Sequence, residues 1–336
     1  MSLLEVEDLA VTFPTSHGDI RAVDGVTFSL EAGETVGLVG ESGSGKSVTS
    51  LAMMGMLGGR HGPAPTGRVL FENTDLLKLG PRELRRRRGA EIAMVFQHPM
   101  TSLNPLVRIE TQITEAIRAH RSVDRRAARA AARDLLDRVG VPDPDRVLRS
   151  HPHRLSGGMC QRVMIAIALA LKPKLLIADE PTTALDVTIQ AQVLELIREL
   201  TRDSGTAVLL ITHDLGVVAS MTSRVNVMYA GRIVESAPTP VLFAAPRHPY
   251  TVGLIRSVAR SDRASSGPLV AIPGQPPDPG RPLPGCPFAP RCQWQVAECT
   301  TVMPPLDGPA GHVFACHNPV LPAEMRAGRP LREPVA

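Results

Sequence analysis

Apolar positions along this chain change their spacing from one stretch to the next, and each change predicts a different set of elements. Over residues 3 to about 97, short apolar runs alternate with turn residues, which predicts strands and turns. Leu9-Ala10-Val11-Thr12, ending at Phe13, reads as one such strand, and so do Glu34 to Val39 and Ile92 to Phe96. Val48 to Leu57 has helical composition. Between Leu106 and His153 the pattern turns helical: Val107 to His120 has amphipathic spacing, and Asp124 to Val139 is rich in Ala and Arg, both good helix formers. From Gln161 to Ala230, helices alternate with apolar strands as in a doubly wound sheet. Gly231 to about Val258 predicts a hairpin and helices. Beyond Ser261, Pro and Gly dominate, and no regular secondary structure is expected.

Three polar interruptions of this pattern carry chemistry. The first is Gly40-Glu41-Ser42-Gly43-Ser44-Gly45-Lys46-Ser47, which fits G-x-x-x-x-G-K-[ST] between a buried strand and a helix. Glycines let the backbone turn tightly, so that N–H groups converge on phosphates at a helix N-terminus. Lys46 reaches the β/γ-phosphates and the Ser47 hydroxyl ligates Mg²⁺, with Val48 opening the following helix. The second is Leu155-Ser156-Gly157-Gly158-Met159 ahead of a long apolar helix to Leu171, a second anion-seeking helix start. Two such ends are redundant for one nucleotide but sensible if each faces a nucleotide held by another subunit. The third is Leu175-Leu176-Ile177-Ala178-Asp179-Glu180, an apolar strand closing on two carboxylates. Asp179 then stands at the phosphate edge of a parallel sheet, where it holds the Mg²⁺ shell, and Glu180 is the base or water-positioning residue. Asp186 follows in Ala184-Leu185-Asp186, and His213 ends the next apolar strand within reach of a γ-phosphate.

In this order the motifs resemble the nucleotide-binding subunits of ATP-binding cassette transporters, across residues 3 to 258. The resemblance implies an α/β P-loop NTPase core with an antiparallel β subdomain and an inserted helical subdomain at about 98–160. It makes Gly40 to Ser47 the Walker A loop, Gln97 the Q-loop glutamine, and Leu155 to Met159 the signature. Asp179 and Glu180 become the Walker B pair, Asp186 the D-loop acid and His213 the switch histidine, while Phe13 sits where the family places an aromatic under adenine. Mg²⁺ held with ATP then has Ser47, Gln97 and Asp179 as its residues. After Gln97 comes His98-Pro99-Met100-Thr101-Ser102-Leu103-Asn104-Pro105, similar to the Q-loop continuation of oligopeptide and dipeptide importers and their nickel relatives. His98 stands where an acid is usual, and Met159 where many cassettes have Gln.

The resemblance implies ATP-driven import of di- or oligopeptides, with a nickel or other small-solute importer as the near alternative. A soluble cassette protein of translation or DNA repair is the remote one, and it lacks support because neither a second cassette nor a long coiled-coil insertion is visible. Implied partners are two transmembrane permease subunits, a second cassette ATPase forming a heterodimer, and an extracytoplasmic peptide-binding protein reached through the permease. Composition adds limits. The net charge of +4 is too small and dispersed to argue for nucleic acid, and Arg85 to Arg88 reads as a solvated helix end. No apolar stretch is long enough to span a membrane, and Met1-Ser2-Leu3-Leu4-Glu5 lacks a signal-peptide pattern. The expected location is peripheral, at the cytoplasmic face of the inner membrane.

At 336 residues the chain exceeds one typical nucleotide-binding domain. A loop-rich extension over 259–320 and a disordered tail over 321–336 are expected. The extension holds four of the five cysteines, Cys286, Cys292, Cys299 and Cys316, spaced C-x5-C-x6-C-x16-C. Disulfides are disfavoured in a cytosolic chain, so a soft-metal site is expected, and the spacing alone leaves zinc and an iron–sulfur cluster both open. Gly285-Cys286-Pro287-Phe288-Ala289-Pro290-Arg291-Cys292 and Ala315-Cys316-His317 resemble the C-terminal motif of peptide-importer ATPases. That similarity implies a [4Fe-4S] cluster, with Zn²⁺ as the alternative. Cys160, on the signature helix, reads as a packing residue.

Overall fold

The computed structural model describes residues 2–16, 18–57, 62–182, 186–257, 272–281 and 283–321. The expected tail at 321–336 therefore lies outside the described residues, except for Leu321. The chain divides into two compact units whose boundaries cut across the linear order.

One unit comprises Met1–Leu3, Leu30–Thr35 and Lys78–Ile211. Its strands Ile92–Val95, Leu175–Asp179 and Ala207–Thr212 run parallel, with Ile92 paired to Leu175 and Leu175 to Ala207. Every residue of these three strands is buried, which explains why they read as continuous apolar runs rather than alternating ones. Helices Ile109–Arg118, Arg125–Arg138, Pro144–Arg149 and Gly157–Leu169 pack around a core that includes Ile113, Leu136, Leu148 and Ile165. The amphipathic helix predicted at Val107 to His120 and the Ala- and Arg-rich one at Asp124 to Val139 are thus present, each a residue or more shorter at its ends. The Asp124 carboxylate caps the second by accepting from Ala127 N–H at 2.7 Å, which stops the chain from extending that helix backward.

The other unit comprises Leu4–Ser29, Val36–Leu77 and Thr212–Ala336. It contains an antiparallel sheet in the order Gly18–Glu31, Ser2–Thr15, Thr66–Phe71, Thr74–Asp75. The first strand is longer than its apolar stretch suggests. Phe13 lies inside it, half-buried, rather than at its end. Thr35–Val39 pairs in parallel with Arg224–Tyr229, which pairs antiparallel with Arg232–Pro238, and Val313–Phe314 adds to that edge. The Pro-rich extension carries two 3₁₀ turns, Ala289–Arg291 and Ala297–Thr300, besides the two-residue strand. Phe288, Cys286 and Cys299 join Tyr229, Tyr250 and Val227 in one apolar core, so the extension belongs to the same unit as the glycine-rich loop.

Candidate functional site

The strand Thr35–Val39 delivers the chain into Gly40, and Gly45 caps the helix Lys46–Met53 with φ 103°. Gly45 is required there. A β-carbon would meet the Ala22 carbonyl oxygen and lie 2.8 Å from the Met228 Cε, besides the strain of a left-handed backbone. The loop is closed by Ser44 N–H donating to Glu41 O at 3.2 Å and Gly231 N–H donating to Ser44 O at 2.9 Å. Lys46 is buried, with 4% of its surface exposed. Its Nζ donates to Gly40 O at 2.8 Å, Glu41 O at 2.9 Å and Ser44 Oγ at 3.4 Å. The cation is therefore held inside the loop, against the backbone that would surround a phosphate. Ser42 and Gly43 are exposed at the loop tip, and Ser47 and Val48 are half-buried on the helix start.

In the parallel-sheet unit, Asp179 ends its strand buried, and Glu180 leaves it with a left-handed φ of 45°. That conformation costs a residue with a β-carbon roughly 1 kcal/mol or more. Two hydrogen bonds hold it: Glu180 N–H to Ile211 O at 2.8 Å, and Gln97 Nε2 to Glu180 Oε2 at 2.7 Å. Ser156 caps the helix Gly157–Leu169 by accepting from Met159 N–H at 3.3 Å, leaving Ser156 and Gly157 exposed and Gly158 half-buried. Asp186 is exposed and caps Val187–Ser204, accepting from Ile189 N–H at 3.0 Å; Ala184 and Leu185 lie outside the described residues. His213 is exposed just past the strand Ala207–Thr212. The sequence-predicted residues Gln97, Ser156, Gly157, Gly158, Asp179, Glu180 and Asp186 thus fall in one unit. Phe13, Gly40 to Val48 and His213 fall in the other.

Sequence reasoning missed a link inside the first unit. Gln161, 2% exposed on the helix Gly157–Leu169, donates from Nε2 to Pro181 O at 2.6 Å. It ties the helix that begins at Ser156 to the turn after Glu180. The signal was available as a lone amide in the apolar run, though nothing local named its partner. Cys160 beside it is fully buried, its thiol raised by burial and 3.5 Å from Pro152 O, which agrees with a packing role.

The four cysteines of the extension gather in the other unit. Cys286 N–H donates to Cys299 O at 2.8 Å. This close pass requires Gly285, where a β-carbon would collide with the Cys299 carbonyl and the Thr300 backbone. Burial pushes the Cys292 and Cys316 thiols up to about 12, and neighbouring cysteines raise them further: Cys316, Cys286 and Cys299 for the first, Cys286 and Cys299 for the second. Cys286 is raised too, again by burial first. Among the described residues, no group of three or more His, Cys, Asp or Glu stands ready to hold a single metal ion. The four thiols share a neighbourhood without forming a compact ion site.

Comparison with known proteins finds two family models along the chain. Residues 23–183 match the ABC transporter family model, and residues 234–299 match the oligopeptide/dipeptide transporter C-terminal region. The dipeptide transport ATP-binding protein DppD of Bacillus subtilis is 50% identical over 302 residues, 90% of each chain. The oligopeptide transport ATP-binding protein OppD of Salmonella typhimurium is 48% identical over 321 residues, 95% of this chain and 94% of that one. Among solved structures, a dimeric post-hydrolysis state of the ATP-binding cassette MJ0796 bound to ADP and Pi superposes with a TM-score of 0.63 at 28% identity. That match covers 70% of this chain and 98% of the other.

Proposed function

The chain belongs to the ATP-binding cassette ATPases of the oligopeptide/dipeptide transporter family, and we propose that it powers import of di- or oligopeptides by binding and hydrolysing ATP at a dimer interface. Its fold is the P-loop fold of that family, with parallel and antiparallel sheets. The observation that carries the reading is about one-half identity to dipeptide and oligopeptide transport ATP-binding proteins over nine-tenths of the chain, C-terminal region included.

In this reading the loop Gly40 to Ser47 surrounds the triphosphate, and Lys46 exchanges carbonyl partners of its own loop for phosphate oxygens. Ser47, Gln97 and Asp179 would hold Mg²⁺ through the oxygen donors that such a hard cation prefers, and the ion would supply charge neutralisation at the phosphates. Glu180 orients the attacking water, with its carboxylate held by Gln97. His213 meets the γ-phosphate, and Phe13 packs on adenine. Ser156, Gly157 and Gly158 serve the nucleotide of a second subunit, beside Asp186. A chain with one glycine-rich loop and one such helix start needs a partner to complete a site. We assign that role to a different ATPase, so that the working pair is a heterodimer docked on two permease subunits, with a peptide-binding protein outside. A peripheral position at the cytoplasmic face goes with this assembly; among the described residues no helix is long and apolar enough to cross a membrane.

Cys286, Cys292, Cys299 and Cys316 are proposed as the ligands of one [4Fe-4S] cluster. Its contribution is structural: metal–thiolate bonding orders a segment poor in regular hydrogen bonding, on the order of 10 kcal/mol of binding free energy being available from such sites. Hydrolysis moves no electrons, so the cluster would take no part in it.

The deciding experiment is reconstitution of the chain with its permeases and partner ATPase in vesicles. ATP-dependent uptake of a labelled peptide is expected, and it should disappear with Glu180→Gln. Uptake of nickel without peptide uptake would reject the substrate. An active transporter containing two copies of this chain and no second ATPase would reject the heterodimer alone.

A further inference from the structure

We propose that the C-terminal extension is a working part of the nucleotide loop, in which Arg291 is a positioning residue that fixes the loop through Glu41. The proposal rests on reading Gly40 to Ser47 as the phosphate-binding loop, and it adds a residue from outside every motif that defines such loops.

Glu41 is a variable position of G-x-x-x-x-G-K-S, and 250 residues separate it from Arg291. The Arg291 side chain is only 4% exposed. Its Nη1 and Nη2 donate to Glu41 Oε2 and Oε1 at 2.7 and 3.1 Å, a two-pronged contact that sets the orientation of the carboxylate as well as its distance. The guanidinium is itself located by Nε donating to Pro273 O at 2.9 Å, and it lies 5.8 and 5.9 Å from the Tyr229 and Phe288 ring centres. Burial opposes its charge, but hydrogen bonds to Glu41 and Tyr229 raise it above the ordinary arginine value.

The grip on Glu41 does not stop at its side chain. Its N–H donates to Tyr250 Oη at 2.8 Å, and its carbonyl accepts from Lys46 Nζ at 2.9 Å. One residue of the loop is thus held at carboxylate, amide and carbonyl, the last by the lysine assigned to the phosphates. The backbone freedom of the loop is lost when the protein folds rather than when nucleotide binds, which favours nucleotide affinity. A surface ion pair in this position would contribute little. This fork does more, because its arginine end is buried and removing Glu41 strands that charge. Arg291 also closes the 3₁₀ turn between Cys286 and Cys292, so the extension delivers it from its most tightly folded stretch.

The competing account is that Arg291 merely fastens the extension to the fold, and nucleotide affinity separates the two. A fluorescent ATP analogue is titrated into the full chain carrying Arg291→Gln, Glu41→Gln or both, and hydrolysis is followed in the assembled transporter. Each single substitution should raise the Kd and KM for ATP by about tenfold with a smaller change in kcat, and the double substitution should cost no more than either single one. A lowered Tm with unchanged Kd and KM would overturn the proposal, and so would single effects that simply add. If Arg291→Gln does not fold, Glu41→Gln decides alone, since Glu41 keeps its amide and carbonyl contacts; unaltered ATP affinity in that variant overturns the proposal. A wild-type chain that binds no ATP would instead refute the phosphate-loop reading beneath it.

Discussion

Gln97 and Glu180, 83 residues apart in the chain, are joined by a 2.7 Å hydrogen bond from the amide Nε2 to the carboxylate Oε2. The bond orients a side chain whose backbone is already held in a left-handed conformation by Ile211 O. Glu180→Gln keeps the shape and removes the charge and the basicity. Hydrolysis by the assembled transporter should fall by about 100-fold or more while ATP binding survives. Gln97→Ala, which only releases the carboxylate, should cost less. Phosphate release and nucleotide titration on the same preparations check this, and near wild-type turnover by Glu180→Gln would remove the residue from its role.

Lys46→Ala should act on binding instead. Its ammonium is the one charge held within the loop by Gly40 O, Glu41 O and Ser44 Oγ. Without it the phosphates lose a charge-assisted contact and the loop loses its internal tie, so ATP affinity should drop by about tenfold or more. Isothermal titration against the wild-type chain gives the answer.

The cysteine site is tested by composition. Anaerobically purified protein should contain about four irons and four sulfides per chain, the content of one [4Fe-4S] cluster. Cys286→Ser should lose both. Because burial first and neighbouring thiols second hold Cys292 and Cys316 near 12, the thiols are protonated at neutral pH without metal. Loading must release those protons and should become more favourable as pH rises. A colourless protein with stoichiometric zinc would keep the thiolate site and reject the cluster; no metal would reject both.

His248 predicts an acid limit. Burial, opposed in part by the charge of Glu235, lowers its pKa from 6.5 to about 4. Folding therefore favours the neutral imidazole, and the unfolded chain takes up a proton first as pH falls. Its contribution is unaffected above about pH 6.5 and declines progressively toward pH 4. The total loss is on the order of 3 kcal/mol, by the relation between pKa differences and stability. Urea unfolding of wild type and His248→Gln across that range measures it. The variant should show a flatter pH dependence, and parallel profiles would contradict the assignment.

Much of this protein was legible in its sequence because the relevant chemistry is local. Gly45 and Lys46 are adjacent, Ser156 caps a helix through an amide three residues away, and Asp179 sits at the end of the apolar run that buries it. In each, neighbours in the chain set the backbone, so spacing alone reports the geometry. The four cysteines lie within one short, proline-rich stretch, and among the described residues they make no group able to hold a metal ion.

Other features depended on where distant segments came to rest. Glu41 looked like a filler position and Arg291 like one more arginine, and nothing near Gln161 in the chain named Pro181 as its partner. Phe13 seemed to close a strand that runs on to Thr15. Such contacts join residues from 20 to 250 positions apart, and they exist only because strand register and core packing bring specific atoms within hydrogen-bond reach. Sequence determined the loop, the two helix starts and the paired acids. Tertiary structure alone decided which buried arginine holds the loop and which amide aims the acid, since a directed hydrogen bond needs a position in space that no local propensity supplies.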